Sequence, residues 1–227
     1  MCGRYTYYNS KEIVAEYKLV PKLNPQATLK LNDNYNVAPS QTMPVIVRGE
    51  QEHTVELMEW GLIPVWSKPG GTPLKLINAR QEGLTEKPMW KRLVKAHRCV
   101  VPARGFYEWK QDNGGKQPYY ITPAKGEVLS FAGLWDEWTN PAGDKIKTYT
   151  IITTSPNKEM AEIHDRMPAI LDDEKMKLWL SPGEIDEDLL HELLHSAPDG
   201  TLSLVRVSKE VNNIRNNSEK LIYPLED

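Results

Sequence analysis

What most constrains this chain is its rhythm. From residue 43 onward, short β-like runs alternate with turn signals, and few segments are long enough for a core-spanning helix. Met43–Val47 and Val55–Trp60 read as strands joined by a polar turn. Cys99–Val101, Phe106–Lys110, Tyr119–Thr122, Val128–Leu134 and Tyr149–Thr154 follow, with Leu202–Val207 as a late strand. Their β-branched and aromatic residues fit a pleated, half-buried surface. Asp112-Asn113-Gly114-Gly115 is a hairpin signal, because tight hairpin turns need residues that accept positive φ. Helical patterns run from Asn9 or Ser10 through Leu19, from Pro88 to about Ala96, and over Asn157–Ile163, Asp172–Leu180 and Ile185–His195. Residues 20–42 are rich in Pro, Asn and Gln and read as loop. The expectation is an α+β chain, mostly antiparallel, forming a single domain over residues 1–227.

Composition narrows the function. No run of about 18 apolar residues is present, so no membrane span is expected. Lys11 and Glu12 interrupt any early apolar stretch, which argues against a signal peptide. Cys2 and Cys99 are the only cysteines and form no disulfide framework, which suits a reducing cytoplasm. A formal net charge of -3 argues against bulk nucleic-acid binding but leaves room for a local basic groove.

Cys2 is the sharpest chemical signal. Removal of Met1 would leave Cys2 with a free α-amine beside its thiol. An aldehyde would form a Schiff base with the amine. The thiol could then close a five-membered thiazolidine. Three further polar clusters sit in strand or turn surroundings: Asn78-Ala79-Arg80-Gln81-Glu82, Gly105-Phe106-Tyr107-Glu108-Trp109 and His164-Asp165-Arg166-Met167-Pro168. With Cys2-Gly3-Arg4 they supply a nucleophile, an amide, a carboxylate, an imidazole and three guanidiniums, an inventory for acid/base chemistry on an anionic substrate. Taken singly, Glu108 fits a solvated strand position, His164 a helix C-terminus and Asn78 a turn.

These clusters occur in order with Asn36-Val37-Ala38-Pro39, Trp60-Gly61-Leu62-Ile63-Pro64 and Val207-Ser208-Lys209-Glu210-Val211-Asn212. Together they strongly resemble the SOS-response-associated peptidase (SRAP) family, which processes abasic sites in DNA. The resemblance spans essentially the whole chain. It implies curved, barrel-like antiparallel sheets with peripheral helices around a basic groove. It also implies covalent capture of abasic sites in single-stranded DNA, including single-strand/duplex junctions, by a cytoplasmic, nucleoid-associated monomer without cofactor or metal. Carried over by position, Cys2 is the nucleophile, and Asn78 the amide that holds the ring and Cys2. Glu108 is the acid/base for sugar opening and the Schiff base, and His164 the group protonating the sugar oxygen. Arg4, Arg80 and Arg166 match phosphate-binding positions, and guanidinium suits phosphate because it can bond it bidentately. Trp66 and Trp109 offer stacking surfaces. Pro39 and Thr153 fall at groove-lining positions. Tyr5, Gly83 and Arg104 depart from the usual pattern without touching a catalytic position.

His191-Glu192-Leu193-Leu194-His195 matches the zinc-protease spacing H-E-x-x-H. Leu189, Leu190, Leu193 and Leu194 form the apolar stripe of this segment, so both histidines fall on the solvated side. The reading is therefore a peripheral helix. The competing functions are a cysteine (auto)peptidase, in which Cys2 attacks its own Met1 bond, and a non-covalent reader of modified DNA.

Overall fold

The computed structural model describes residues 2–10, 13, 17, 32–49, 53–68, 73–112 and 114–226. The architecture is α+β with two largely antiparallel sheets. The first has the order β13-β8-β7-β1-β2, built from Leu202–Arg206, Gly115–Pro123, Gly105–Asp112, Arg4–Tyr7 and Asn34–Val37. The second is ring-like. Its strands are β3 (Thr42–Arg48), β4 (His53–Trp60), β6 (Arg98–Ala103), β9 (Leu129–Thr139) and β10 (Lys145–Thr154). β10 pairs with both β9 and β4, which closes the circuit β10-β4-β3-β6-β9. Short β11 (Met167–Pro168) and β12 (Ile170–Leu171) add to β10 and β9, and β5 (Asn78–Arg80) lies parallel to β10.

Period-two alternation explains how the ring faces two cores. Val45, Val47, Cys99, Val101, Phe131 and Ile151 join one buried cluster, which also takes Tyr5 and Phe106 from the first sheet. Their neighbours Ile46, Val100, Ala132, Leu134 and Ile152 join a second cluster. That second face is covered by α1 (Pro88–Ala96), α3 (Asp173–Trp179) and α4 (Glu187–Leu194) through Trp90, Leu93, Trp179, Leu190, Leu193 and Leu194. The one-turn helix α2 (Lys158–Ala161) leads into the His164 segment, its N-terminus capped by Asn157, whose side chain accepts from the Met160 N–H. Gly105 is required by close approach, since a Cβ there would stand 2.6 Å from both the Tyr120 ring and the Ile121 carbonyl.

Several boundaries differ from the sequence reading. Part of the expected loop 20–42 is β2, which reaches strand geometry by pairing with β1 rather than through local propensity. The run expected at Val128–Leu134 continues to Thr139, and β10 begins at Lys145, because their long hairpin pairs residues from Gly133 to Thr139. Of Asn157–Ile163 only four residues are helical. The helix expected from Asn9 or Ser10 through Leu19 lies largely outside the described residues, as does the fate of Met1.

Candidate active site

The site grows from an uneven edge. β1 pairs with β7 through Arg4↔Tyr107, Tyr5↔Phe106 and Thr6↔Gly105, and stops there. Continuing the same antiparallel register would set Gly3 opposite Glu108 and Cys2 opposite Trp109. Cys2 and Glu108 are both buried, at 0% and 3% exposure. Burial raises the Cys2 thiol far above its ordinary pKa, and the negative charge of Glu108 raises it further. The Cys2 sulfur lies 3.9 Å from the Arg4 carbonyl.

Beyond the last β1–β7 pair, Glu108 and Trp109 of β7 reach a cleft of about 440 Å³. Glu108, Trp109, Lys116, His164 and Asn212 line it. His164 follows α2, and its own N–H donates to the Met160 carbonyl at 2.8 Å. The Arg166 backbone N–H donates to His164 Nδ1 at 3.0 Å, which leaves Nε2 to carry the proton of the neutral ring. Asp165 Oδ1 lies 2.9 Å from the same Nδ1 and suits the protonated ring instead.

The arginines are more occupied than the sequence suggested. Arg4 Nη1 donates to Asn36 Oδ1 at 2.8 Å and to the Val211 carbonyl at 2.7 Å. Asn36 Nδ2 in turn donates to the carbonyls of Val211, Asn213 and Asn216. Arg4 and Asn36 therefore pin the C-terminal segment, and Asn212 from that segment receives the Trp109 indole N–H at 2.7 Å. Arg166 pairs bidentately with Glu82, at 2.6 and 3.0 Å, and donates to the Thr153 carbonyl at 2.6 Å. Its Nε is buried with no hydrogen-bond partner among the described residues. Arg166 lowers the Glu82 carboxyl pKa, chiefly by hydrogen bonding.

Arg80 is exposed at the end of β5, opposite Thr153 in the register. Thr153 is fully buried, and its hydroxyl donates to the Ala79 carbonyl at 3.5 Å. Asn78 donates to the Ile151 carbonyl at 3.4 Å, and its Oδ1 is buried without a partner among the described residues. Pro39 sits on the β2–β3 turn, and Trp66, 60% exposed, on the loop after β4. Neither is among the residues lining the cleft beside Glu108. The structure thus brings Glu108, Trp109 and His164 to one cleft, sets buried Cys2 within the electrostatic reach of Glu108, links Arg166 to His164, and places Asn78 and Arg80 on the strand paired with β10.

Lys116, Asn212 and Glu82 were not singled out in the sequence. Asn212 was visible only as the last residue of the 207–212 motif, and Lys116 only as an ordinary charge after a hairpin turn. His191 and His195 are exposed on and just after α4. Among the described residues, no group of three or more His, Cys, Asp or Glu is arranged to hold a metal ion. No helix among the described residues is long and apolar enough to cross a membrane.

A fold with one closed ring, an edge sheet and a cysteine buried beside a strand carboxylate defines a narrow class. The profile of that class, SOS response associated peptidase (SRAP), matches residues 1–214. The chain belongs to the SRAP family. It is 40% identical over 223 residues to the abasic site processing protein YoqW of Bacillus subtilis, covering 98% of this chain and 99% of that one. It is 38% identical over 220 residues to the abasic site processing protein HMCES of Xenopus tropicalis, covering 83% of this chain and 65% of that one. A solved structure of a Bacteroides thetaiotaomicron protein superposes with a TM-score of 0.88 at 24% identity, covering 99% of this chain and 100% of that one, and so shares the fold.

Proposed function

We propose that this protein processes abasic sites in single-stranded DNA by forming a covalent thiazolidine through Cys2. The observation that carries the reading is a buried Cys2 within the electrostatic reach of Glu108, which itself lines a cleft with His164. The names of the relatives support the substrate class.

The chemistry follows from the electrostatics. The ring-opened abasic sugar presents an aldehyde at C1′. With Met1 removed, the Cys2 amine adds to that carbon, a carbinolamine forms, and water leaves to give an imine. The buried thiol is held protonated, so the amine leads and the sulfur follows. The thiol proton passes to the imine nitrogen as sulfur bonds C1′, and the five-membered ring closes without an outside oxidant. In this reading Glu108 moves protons at the carbinolamine, and His164, which lines the same cleft, protonates the sugar oxygen as the furanose opens. Asn78 offers its unpartnered Oδ1 as an acceptor for the amine. Arg80 is free to meet phosphate. Arg166 does so by exchanging Glu82 for a phosphodiester. Arg4 serves through the wall it holds, and Trp66 and Trp109 supply stacking surfaces for flanking bases.

The test is intact mass of the protein before and after incubation with uracil-containing single-stranded DNA treated with a glycosylase. The expected result is loss of Met1 and a stable adduct mapping to Cys2. An undiminished adduct from Cys2→Ala would sink the thiazolidine.

A further inference from the structure

We propose that Lys116 binds the DNA phosphate next to the reacting sugar, so that Trp109 and Lys116 together hold one nucleotide at the mouth of the cleft. This rests on the reading of the cleft as a DNA site and adds a phosphate-binding cation to it.

The register of the β7–β8 hairpin fixes which side chains share a face. Trp109 opposes Pro118 and Gln111 opposes Lys116, so these four share one face. Trp109 and Lys116 are therefore diagonal neighbours, about 7–8 Å apart by ordinary sheet geometry. Trp109 is fixed by its bond to Asn212. A flat ring beside an ammonium matches the two faces of a nucleotide, a base to stack and a phosphate to neutralise.

Charge accounting points the same way. The acid lining this cleft is Glu108, and a polyanion entering beside it needs a cation at close range. Arg4 spends its guanidinium on Asn36 and the C-terminal carbonyls. Arg166 spends its guanidinium on Glu82 and Thr153. Lys116 is exposed, lines the cleft and makes no hydrogen bond or ion pair with any described residue. It meets a phosphate without first breaking a bond inside the protein. Its ammonium is carried on a two-residue-closed hairpin, Asp112↔Gly115, which limits how far the platform can move.

The experiment compares wild type, Lys116→Gln, Lys116→Arg and Lys116→Glu. Affinity for a short single strand with a tetrahydrofuran abasic analogue, which has no aldehyde, is measured by fluorescence anisotropy across a salt series. Lys116→Gln is expected to bind several-fold more weakly, with the slope of log affinity against log salt reduced by about 0.7, one phosphate's worth on single strands. Lys116→Arg should restore the slope, and Lys116→Glu should bind weaker still. At saturating reactive DNA, Lys116→Gln should crosslink within about twofold of wild type, since the residue holds phosphate and moves no proton. An unchanged slope in Lys116→Gln overturns the proposal, and so does a crosslinking defect that persists at saturation. A wild type that binds yet never crosslinks removes the covalent step of the parent reading, while the slope comparison still decides Lys116.

Discussion

The cleft at the β7 edge and the hollow beside α4 are nearly the same size, about 440 and 430 Å³, and each is lined by histidine and glutamate. In the first, Glu108 is buried on a strand and His164 has its Nδ1 fixed by a backbone N–H. In the second, His191 and His195 stand exposed, with the Lys175 ammonium 3.1 Å from His195 Nδ1. An ammonium there opposes any cation, and among the described residues no third ligand completes a metal set. The i, i+4 histidines sit on the exposed side of a helix whose Leu190, Leu193 and Leu194 are buried. Glu108 by contrast is buried within the electrostatic reach of a buried thiol, a placement that costs free energy unless the charge is compensated. Position in the fold, and burial above all, separates the two regions where residue type does not.

The strongest way to break that contrast is to exchange the residues. Cys2→Ala should abolish adduct formation on a denaturing gel, whereas His191→Ala with His195→Ala should crosslink at the wild-type rate. Equal losses from both would erase the distinction. Next in size, Glu108→Gln should slow crosslinking by about 10²–10⁴-fold, the usual range for a lost proton-transfer group, with affinity for the analogue strand unchanged. Single-turnover rates at saturating DNA check this.

A smaller effect concerns the wall rather than the chemistry. Asn36→Ala removes the donors to three C-terminal carbonyls. It should cost about 1–3 kcal/mol in urea unfolding, the penalty for leaving buried acceptors unpaired. Crosslinking should fall with it, as Asn212 and Trp109 lose their support.

The smallest expected effects are in pH. Alkylation of Cys2 in the unliganded protein should stay slow as pH rises from about 7 to 9, since a thiol pushed up by burial forms little thiolate there. Cys2 reacting like a free thiol, with its ordinary value of roughly 8.5, would contradict the buried pairing with Glu108. The Glu82–Arg166 latch has the opposite sign. Its carboxyl pKa is lowered in the fold, so its contribution is present above the ordinary glutamate value and is lost as pH falls through the lowered one. Glu82 is well exposed, so Glu82→Gln should change stability little while easing release of Arg166. Equal stability of wild type and variant at pH 7, with tighter analogue binding by the variant, is the expected pair of results.

Much of this was legible along the chain. The strand rhythm, the hairpin at Asp112–Gly115, the helix begun by Pro88 and the chemical promise of Cys2 depend on local propensity and residue type, which sequence carries directly. So did the family, through motifs spread over more than 200 residues. Only the tertiary structure decided which partner each motif residue meets. Arg4 and Asn36 meet Val211 across more than 170 positions of chain, and Arg166 meets Glu82 across 84. Strand β2 exists because β1 is beside it, and Lys116 reaches the cleft because the β7–β8 hairpin extends past the end of β1. Propensity and periodicity are properties of neighbours in sequence. Whether an arginine meets a phosphate or a carbonyl, and whether a glutamate is solvated or buried against a thiol, is fixed by neighbours in space, and those are set by the closed ring and the uneven sheet edge beside it.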